Sequence, residues 1–333
     1  MSPTALRFES YEQSADRPNV VVDGSPNAGT VVTLTHWPGY PSPPGMEADL
    51  SAQMAFRYLD RGADLHGAAD VVTNNHFDQD GLVAVFALSR PGEAVARRDL
   101  LEDLAAAGDF GTYRSRDAAR LSMAIHAYAD PDRSPLDGLP EDSDEVLYRE
   151  LLERLPDLAD HPEKARALWE DEDRQLDESE AALASGAVAI TEQPDVDLAV
   201  VTFTDPEPHW SGHRFSHQHF EDIHPMAVNN ATDRFALLVV RGRHYRFTYR
   251  YETWVQYRSR RPKARVDLAP LAEELTAAEP GSAQWLAEPP GALAPALGVV
   301  DGDESGLEPD DVVARVTRHL STAPPAWDPY AVG

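Results

Sequence analysis

Apolar and polar positions follow two different rhythms along this chain of 333 residues. In the first part, short β-branched runs are separated by stretches with helical spacing. "NVVVD" (Asn19–Asp23) and "TVVTLTHW" (Thr30–Trp37) read as strands, with the turn signal "GSPNAG" between them. "MEADLSAQMAFRYLDRG" (Met46–Gly62) is spaced as a helix and stops at a glycine. "ADVVTNN" is a third strand that runs into the helix "GLVAVFALSR". Further helices follow over "EAVARRDLLEDLAAAG" and "SRDAARLSMAIHAYAD". Strands alternating with helices predict an α/β domain over residues 1–136, with a mainly parallel sheet and helices on both faces.

Residues 137–186 are dense in Asp, Glu, Leu and Arg and predict helices broken at Pro156 and Pro162, an acidic helical connector with one Leu/Trp stripe. From Ala187 the period changes to two. "VAITEQPDVDLAVVTFTD", "RFALLVVRG" and "HYRFTYRYETWVQYRS" read as strands, the last two as a hairpin around Gly242. "DLAPLAEELTAAE" and "EPDDVVARVTRHLS" read as helices. Residues 187–333 are therefore expected to form a smaller α+β domain.

Composition narrows the function. There are no cysteines, which excludes thiol nucleophiles and Cys-ligated metals. A formal net charge of −28 argues against a nucleic-acid coat or a membrane-surface protein, and against a grip on extended duplexes. The N-terminal stretch lacks the apolar core of a signal peptide, and no apolar run is long enough to span a bilayer. A cytoplasmic protein is expected. No G-x-S-x-G elbow, P-loop or G-x-G-x-x-G fingerprint is present.

One stretch concentrates chemistry. In His76-Phe77-Asp78-Gln79-Asp80-Gly81, an imidazole and two acids stand between a strand and a helix. Ligands of α/β proteins bind beyond the carboxyl ends of strands. One carboxylate is enough to cap a helix, and His with two Asp suits a hard divalent ion such as Mn²⁺ or Mg²⁺. Helix capping by Asp78 or Asp80 is the alternative.

"NNHFDQDGLVAVFAL" also resembles the first motif of the DHH phosphoesterase superfamily, a strand running into H-x-D-x-D-G and then a helix. "AAAGDFGTYRSRDAARL" resembles that family's D-T-G-x-F-R segment, with Asp109 on its aspartate. "VVVDGSPN" resembles its strand-plus-aspartate motif at Asp23. "VVTLTHWPG" resembles its D-H-H strand, where Leu34 and Thr35 replace the first two residues and His36 is kept. These two motifs precede the first one, so the motif order is permuted.

The resemblance implies metal-assisted hydrolysis of a nucleotide or short oligonucleotide phosphodiester, with Mn²⁺ or Mg²⁺ as cofactor. It implies Asp23, His76, Asp78, Asp80 and Asp109 as ligands, and His36 and Asp80 as catalytic. As a whole the chain also resembles an uncharacterised bacterial protein family.

Two further features bear on substrate. "HWSGHRFSHQHFEDIHP" places His209, His213, His217, His219 and His224 close together, and "SGH" resembles the substrate motif of the domain that accompanies the DHH fold. His213, His217 and His219 are expected in a substrate loop; a zinc site on this cluster is an alternative. From Arg234 to Arg265 there are ten Lys or Arg against Glu252 alone. Arg243, Arg246, Arg250 and Arg258 are candidates for phosphate, with Arg246 and Arg250 foremost, beside aromatic residues that could stack on bases. The alternative there is cross-strand packing with arginines paired to acids. A third reading of the whole chain is a nucleotide-binding protein that has lost hydrolysis.

Overall fold

The computed structural model describes residues 5–61, 67, 69–140, 143–205 and 223–332. It divides into two compact units. One comprises Met1–Arg174 with Gln256–Arg260, and the other Gln175–Val255 with Arg261–Val332. Among the described residues no helix is long and apolar enough to cross a membrane.

The first unit runs β1 (Arg7–Phe8), α1 (Tyr11–Ser14), β2 (Asn19–Val22), β3 (Thr30–Leu34), α2 (Ser51–Arg61) and β4 (Val71–Thr73). It continues through α3 (Gln79–Ser89), α4 (Pro91–Val95), α5 (Arg98–Asp109), α6 (Arg116–Ala129) and α7 (Asp144–Asp160) into α8 (Arg166–Ser185). The sheet has the order β1-β4-β2-β3 and every pair is parallel. β2 is the fully buried valine run expected of a central parallel strand. Its register, Val21 opposite Thr73 and Val22 opposite Leu34, brings the carboxyl ends of β2, β3 and β4 side by side. α3 is apolar almost all round, because it is enclosed by the packing of α2 and α5.

The second unit contains β5 (Val188–Gln193), β6 (Leu198–Phe203), α9 (Pro225–Ala231), β7 (Ala236–Arg241), β8 (His244–Tyr249) and β9 (Arg265–Val266). α10 (Ala269–Ala278), β10 (Trp285–Ala287), β11 (Ala296–Val299), α11 (Pro309–Thr322) and β12 (Pro325–Trp327) complete it. Its main sheet has the order β10-β11-β8-β7-β6-β5, parallel only between β6 and β7. Leu238 and Phe247 pack with Leu271, Leu275, Val312 and Val316, while Ala199, Val201 and Leu237 pack with Ile223 and Val228.

The α/β class is as expected, and the hairpin at Gly242 is present, with φ of 54° at the glycine. Several boundaries differ. α2 begins at Ser51, not Met46. The helix expected over Glu93–Gly108 is two, α4 and α5, because the chain leaves helical geometry at Arg97 (ψ 15°). Pro156 lies inside α7, which continues because Leu151, Leu152, Leu155 and Leu158 bury one face across it. The strand expected through Ser259 ends at Tyr249, followed by a tight turn at Tyr251–Thr253. The acidic segment forms no separate connector: the division of the chain falls inside α8.

Candidate metal centre

Three neighbouring strands deliver the cluster. β2 leads into Asp23, whose φ of 47° is left-handed, a conformation that aspartate enters more readily than most residues. Gly24 follows where a Cβ would lie 1.9 Å from Asn75 Oδ1, so any side chain there would displace the Asn75 amide from its bond to the Ser25 N–H. β3 leads through Thr35 to His36, which is buried. The His36 Nδ1 lies 2.6 Å from the Asp49 carbonyl. A carbonyl can only accept, so Nδ1 carries a proton, and Nε2 is the ring nitrogen turned to the cluster. That Nε2 is 3.4 Å from Asp23 Oδ1, 3.5 Å from Asp109 Oδ2 and 4.0 Å from Asp80 Oδ2.

β4 leads to Asn74 and His76. The Asn74 Oδ1 accepts the N–H of Asn75 at 2.6 Å and of His76 at 3.3 Å. Tyr148 Oη, from α7, donates to the His76 carbonyl at 2.9 Å and accepts from Asn74 Nδ2 at 3.0 Å. Thus pinned, His76 sets Nε2 2.9 Å from Asp78 Oδ2 and 3.5 Å from Asp23 Oδ2, with its ring against Trp37.

Asp78 is the N-cap of α3, accepting from Gly81 N at 2.8 Å with the oxygen that does not face His76. Asp80 does not cap its own helix. It is buried, and its two oxygens take the N–H groups of Ser51 (2.7 Å) and Ala52 (2.8 Å) at the start of α2. Gly81 is required for space rather than for a turn: a Cβ would lie 2.2 Å from Asn74 Nδ2 and 2.6 Å from Tyr148 Oη. Asp109 closes the cluster from the last residue of α5.

Burial, then the nearby charges of Asp78, Asp80 and Asp109, push the Asp23 carboxyl well above its ordinary pKa. Asp80 is also raised, chiefly by burial. Desolvation raises Asp78 too, but His76 and the Gly81 N–H outweigh that and hold it at about 2. The opposed shifts come from one carboxylate having a cation-forming neighbour that the others share less closely. Asp23 Oδ2 is buried without a hydrogen bond. Two sets, Asp23–His36–Asp80 and Asp23–His76–Asp78, each have donor atoms within 4.8 Å of one another and could hold a metal ion. The first is buried; the second is half-buried. Oxygen and imidazole donors fit a hard or borderline divalent ion.

The cluster thus joins Asp23, His36, His76, Asp78, Asp80 and Asp109, all named from sequence. Sequence reasoning missed Asp49, Ser51, Asn74 and Tyr148. Ser51 follows an acid-containing run and reads there as an ordinary helix residue, and Tyr148 lies in the segment read as a connector. The expected substrate residues fare differently. His213, His217 and His219, with His209, lie outside the described residues. His224 is buried and caps α9, accepting from Met226 N. Arg246 is half-buried in the middle of β8, between β7 and β11.

Arg250 is corrected to a packing residue. It is buried, ion-paired with Glu252 at 2.5 Å, and directed at the carbonyls of Asn229 and Thr232. A guanidinium so engaged is not presented to a ligand. Arg243 pairs with Glu308 and Arg234 with Glu192 and Asp197. Arg258 belongs to the first unit, where its N–H meets Asp49.

Fold and site together define an α/β protein with a buried carboxylate–imidazole cluster at the carboxyl ends of a parallel sheet. The chain belongs to the family of unknown function DUF6687, which matches it over residues 4–331. No curated protein and no solved structure matches it.

Proposed function

We propose that this protein is a phosphoesterase that uses two divalent ions, Mn²⁺ foremost, to hydrolyse a phosphodiester of the nucleotide class. The observation that carries the reading is Asp23, which belongs to both metal-capable sets, Oδ1 facing His36 and Oδ2 facing His76. A carboxylate common to two sets is the arrangement that keeps two ions close. Asp23, His36, Asp80 and Asp109 would hold one ion, and Asp23, His76 and Asp78 the other. Such ions supply positive charge to the phosphoryl oxygens and to the attacking water.

The chain's own residues support the rest. The reaction adds water across one P–O ester bond and releases an alcohol and a phosphomonoester. The Asp49 carbonyl keeps the proton on Nδ1 of His36, which poses that imidazole as a ligand rather than as a proton carrier. His76 and Asp78 are the half-exposed members, so substrate meets the site on their side. Trp37, half-buried against His76, lines the same side. The burial of Asp23, His36 and Asp80 keeps bulk water from the other side.

The competing reading neutralises the acids with protons alone, as His76 and Asp78 do at 2.9 Å. Mn²⁺ titration of metal-free protein, beside hydrolysis of bis(4-nitrophenyl) phosphate, separates the two. The expected result is two ions per chain and Mn²⁺-dependent hydrolysis, lowered about a hundredfold or more by Asp23→Asn. Protein that binds no Mn²⁺ overturns the proposal.

A further inference from the structure

Every member of the buried set Asp23–His36–Asp80 is held by one short stretch, Asp49–Ala52. Ser51, itself fully buried, reaches all three. Its Oγ donates to Asp23 Oδ1 at 2.8 Å. Its N–H donates to Asp80 Oδ2 at 2.7 Å. The same Oγ accepts the His36 N–H at 3.4 Å. Asp49 and Ala52, on either side, add the bonds to His36 Nδ1 and Asp80 Oδ1. The half-buried set has no such common anchor: His76 is held through Asn74 and Tyr148, and Asp78 through Gly81.

We infer that Ser51 is a positioning residue that presets the buried set, so that this set takes the first ion and the His76–Asp78 set the second. This rests on the two-ion reading above. A hydroxyl donating to one oxygen of Asp23 fixes the rotation of the carboxylate and directs its remaining lone pairs. The backbone N–H groups of Ser51 and Ala52 do the same for Asp80. Partners that orient metal-binding groups commonly change metal affinity about tenfold to a hundredfold when removed. The buried set is therefore built before an ion arrives, and it binds more tightly than the half-buried one.

The test is equilibrium Mn²⁺ binding, read from the free-ion electron paramagnetic resonance signal, with melting curves in chelator. The parent is expected to bind one ion tightly and one weakly. Ser51→Ala keeps the backbone N–H but loses both contacts of Oγ. Its tighter site should weaken about tenfold to a hundredfold, and the weaker site, which shares only Asp23 with it, by less. Met54→Leu, a volume-conserving change in the same helix, controls for general loosening and should leave both affinities unchanged. Asp78→Asn should abolish the weaker site and keep the tighter, which tests the assignment even if Ser51→Ala fails to fold. Ser51→Ala with the parent's two affinities overturns the role of Ser51 and leaves the two-ion reading standing. Asp78→Asn that loses the tight site overturns the order of filling. A parent that binds no Mn²⁺ overturns both.

Discussion

Asp23 combines three unfavourable conditions: a left-handed backbone, complete burial, and three other carboxylates nearby. Asparagine tolerates the same backbone region and has nearly the same shape, so Asp23→Asn isolates the charge. In chelator the variant should melt at or above the parent's temperature, because mutual repulsion falls. It should then lose the stabilisation that Mn²⁺ gives the parent, about 2.7 kcal/mol at a hundred times the dissociation constant. A parent whose melting curve ignores Mn²⁺ would contradict this. Gly81 is the other sharp residue, since a methyl group there meets Asn74 and Tyr148. Gly81→Ala should destabilise the protein by about 1–3 kcal/mol, measured by urea unfolding, and disturb His76 through the same two side chains. At this scale the sequence displayed the acids but not their division of labour. Asp78 is both cap and metal-capable residue, and Asp80 grips a different helix, because Ser51 lies 29 residues away in sequence.

Elements were legible where their periodicity was uninterrupted and misjudged where a local signal met tertiary packing. Pro156 removes one helical hydrogen bond, yet α7 continues because its leucines are buried on both sides of it. The Arg–aromatic alternation after Gly242 continues past Tyr249, but Arg250 turns inward to Glu252 and ends the strand. The acidic segment carries specific pairs as well as a solvated face. In α8, Asp173 Oδ1 accepts from Arg116 Nε at 2.5 Å and Oδ2 from Arg120 Nη2 at 3.0 Å, both in α6. Burial opposes the charge of Asp173, but the two arginines outweigh it and lower its pKa. A folded pKa below the unfolded one contributes stability above the ordinary carboxylate range, and that stability is lost as pH falls through the folded value. Asp173→Asn should therefore be less stable than the parent by about 1.5–3 kcal/mol at pH 7. The gap should close as the pH falls from the ordinary carboxylate pKa, ~4, through the lower folded value at which the parent's Asp173 protonates. A gap that is constant with pH would mean that shape, not charge, holds α8 to α6.

On the scale of the whole chain, the first unit is discontinuous. Composition placed the boundaries at 136 and 186 and assigned the basic stretch to the C-terminal domain, yet Gln256–Arg260 belongs with the first unit. The Gln256 N–H meets the His36 carbonyl at 2.8 Å, and Tyr257 packs edge-on against Phe110. The N–H groups of Arg258 and Ser259 donate to Asp49 Oδ1 at 2.6 and 2.8 Å, and the Ser259 hydroxyl donates to Oδ2. None of this was legible, because backbone amides bonding across some 200 residues leave no trace in composition or periodicity. The consequence is that Asp49 has two functions on two groups: its carbonyl orients His36, and its carboxylate fixes the late segment. Asp49→Ala keeps the first group and removes the second. The N–H groups it releases are solvent-accessible, so the loss of global stability should be modest, about 1 kcal/mol by urea unfolding. The effect on the tighter Mn²⁺ site should be larger than that figure suggests, a loss of about tenfold or more, because the released stretch holds the His36 backbone through the Gln256 N–H. Ser259→Ala, which removes one of the three donors, should lie between the parent and Asp49→Ala in both measurements. Asp49→Ala with lowered stability but the parent's Mn²⁺ affinity would show that the late segment braces the unit without shaping the site.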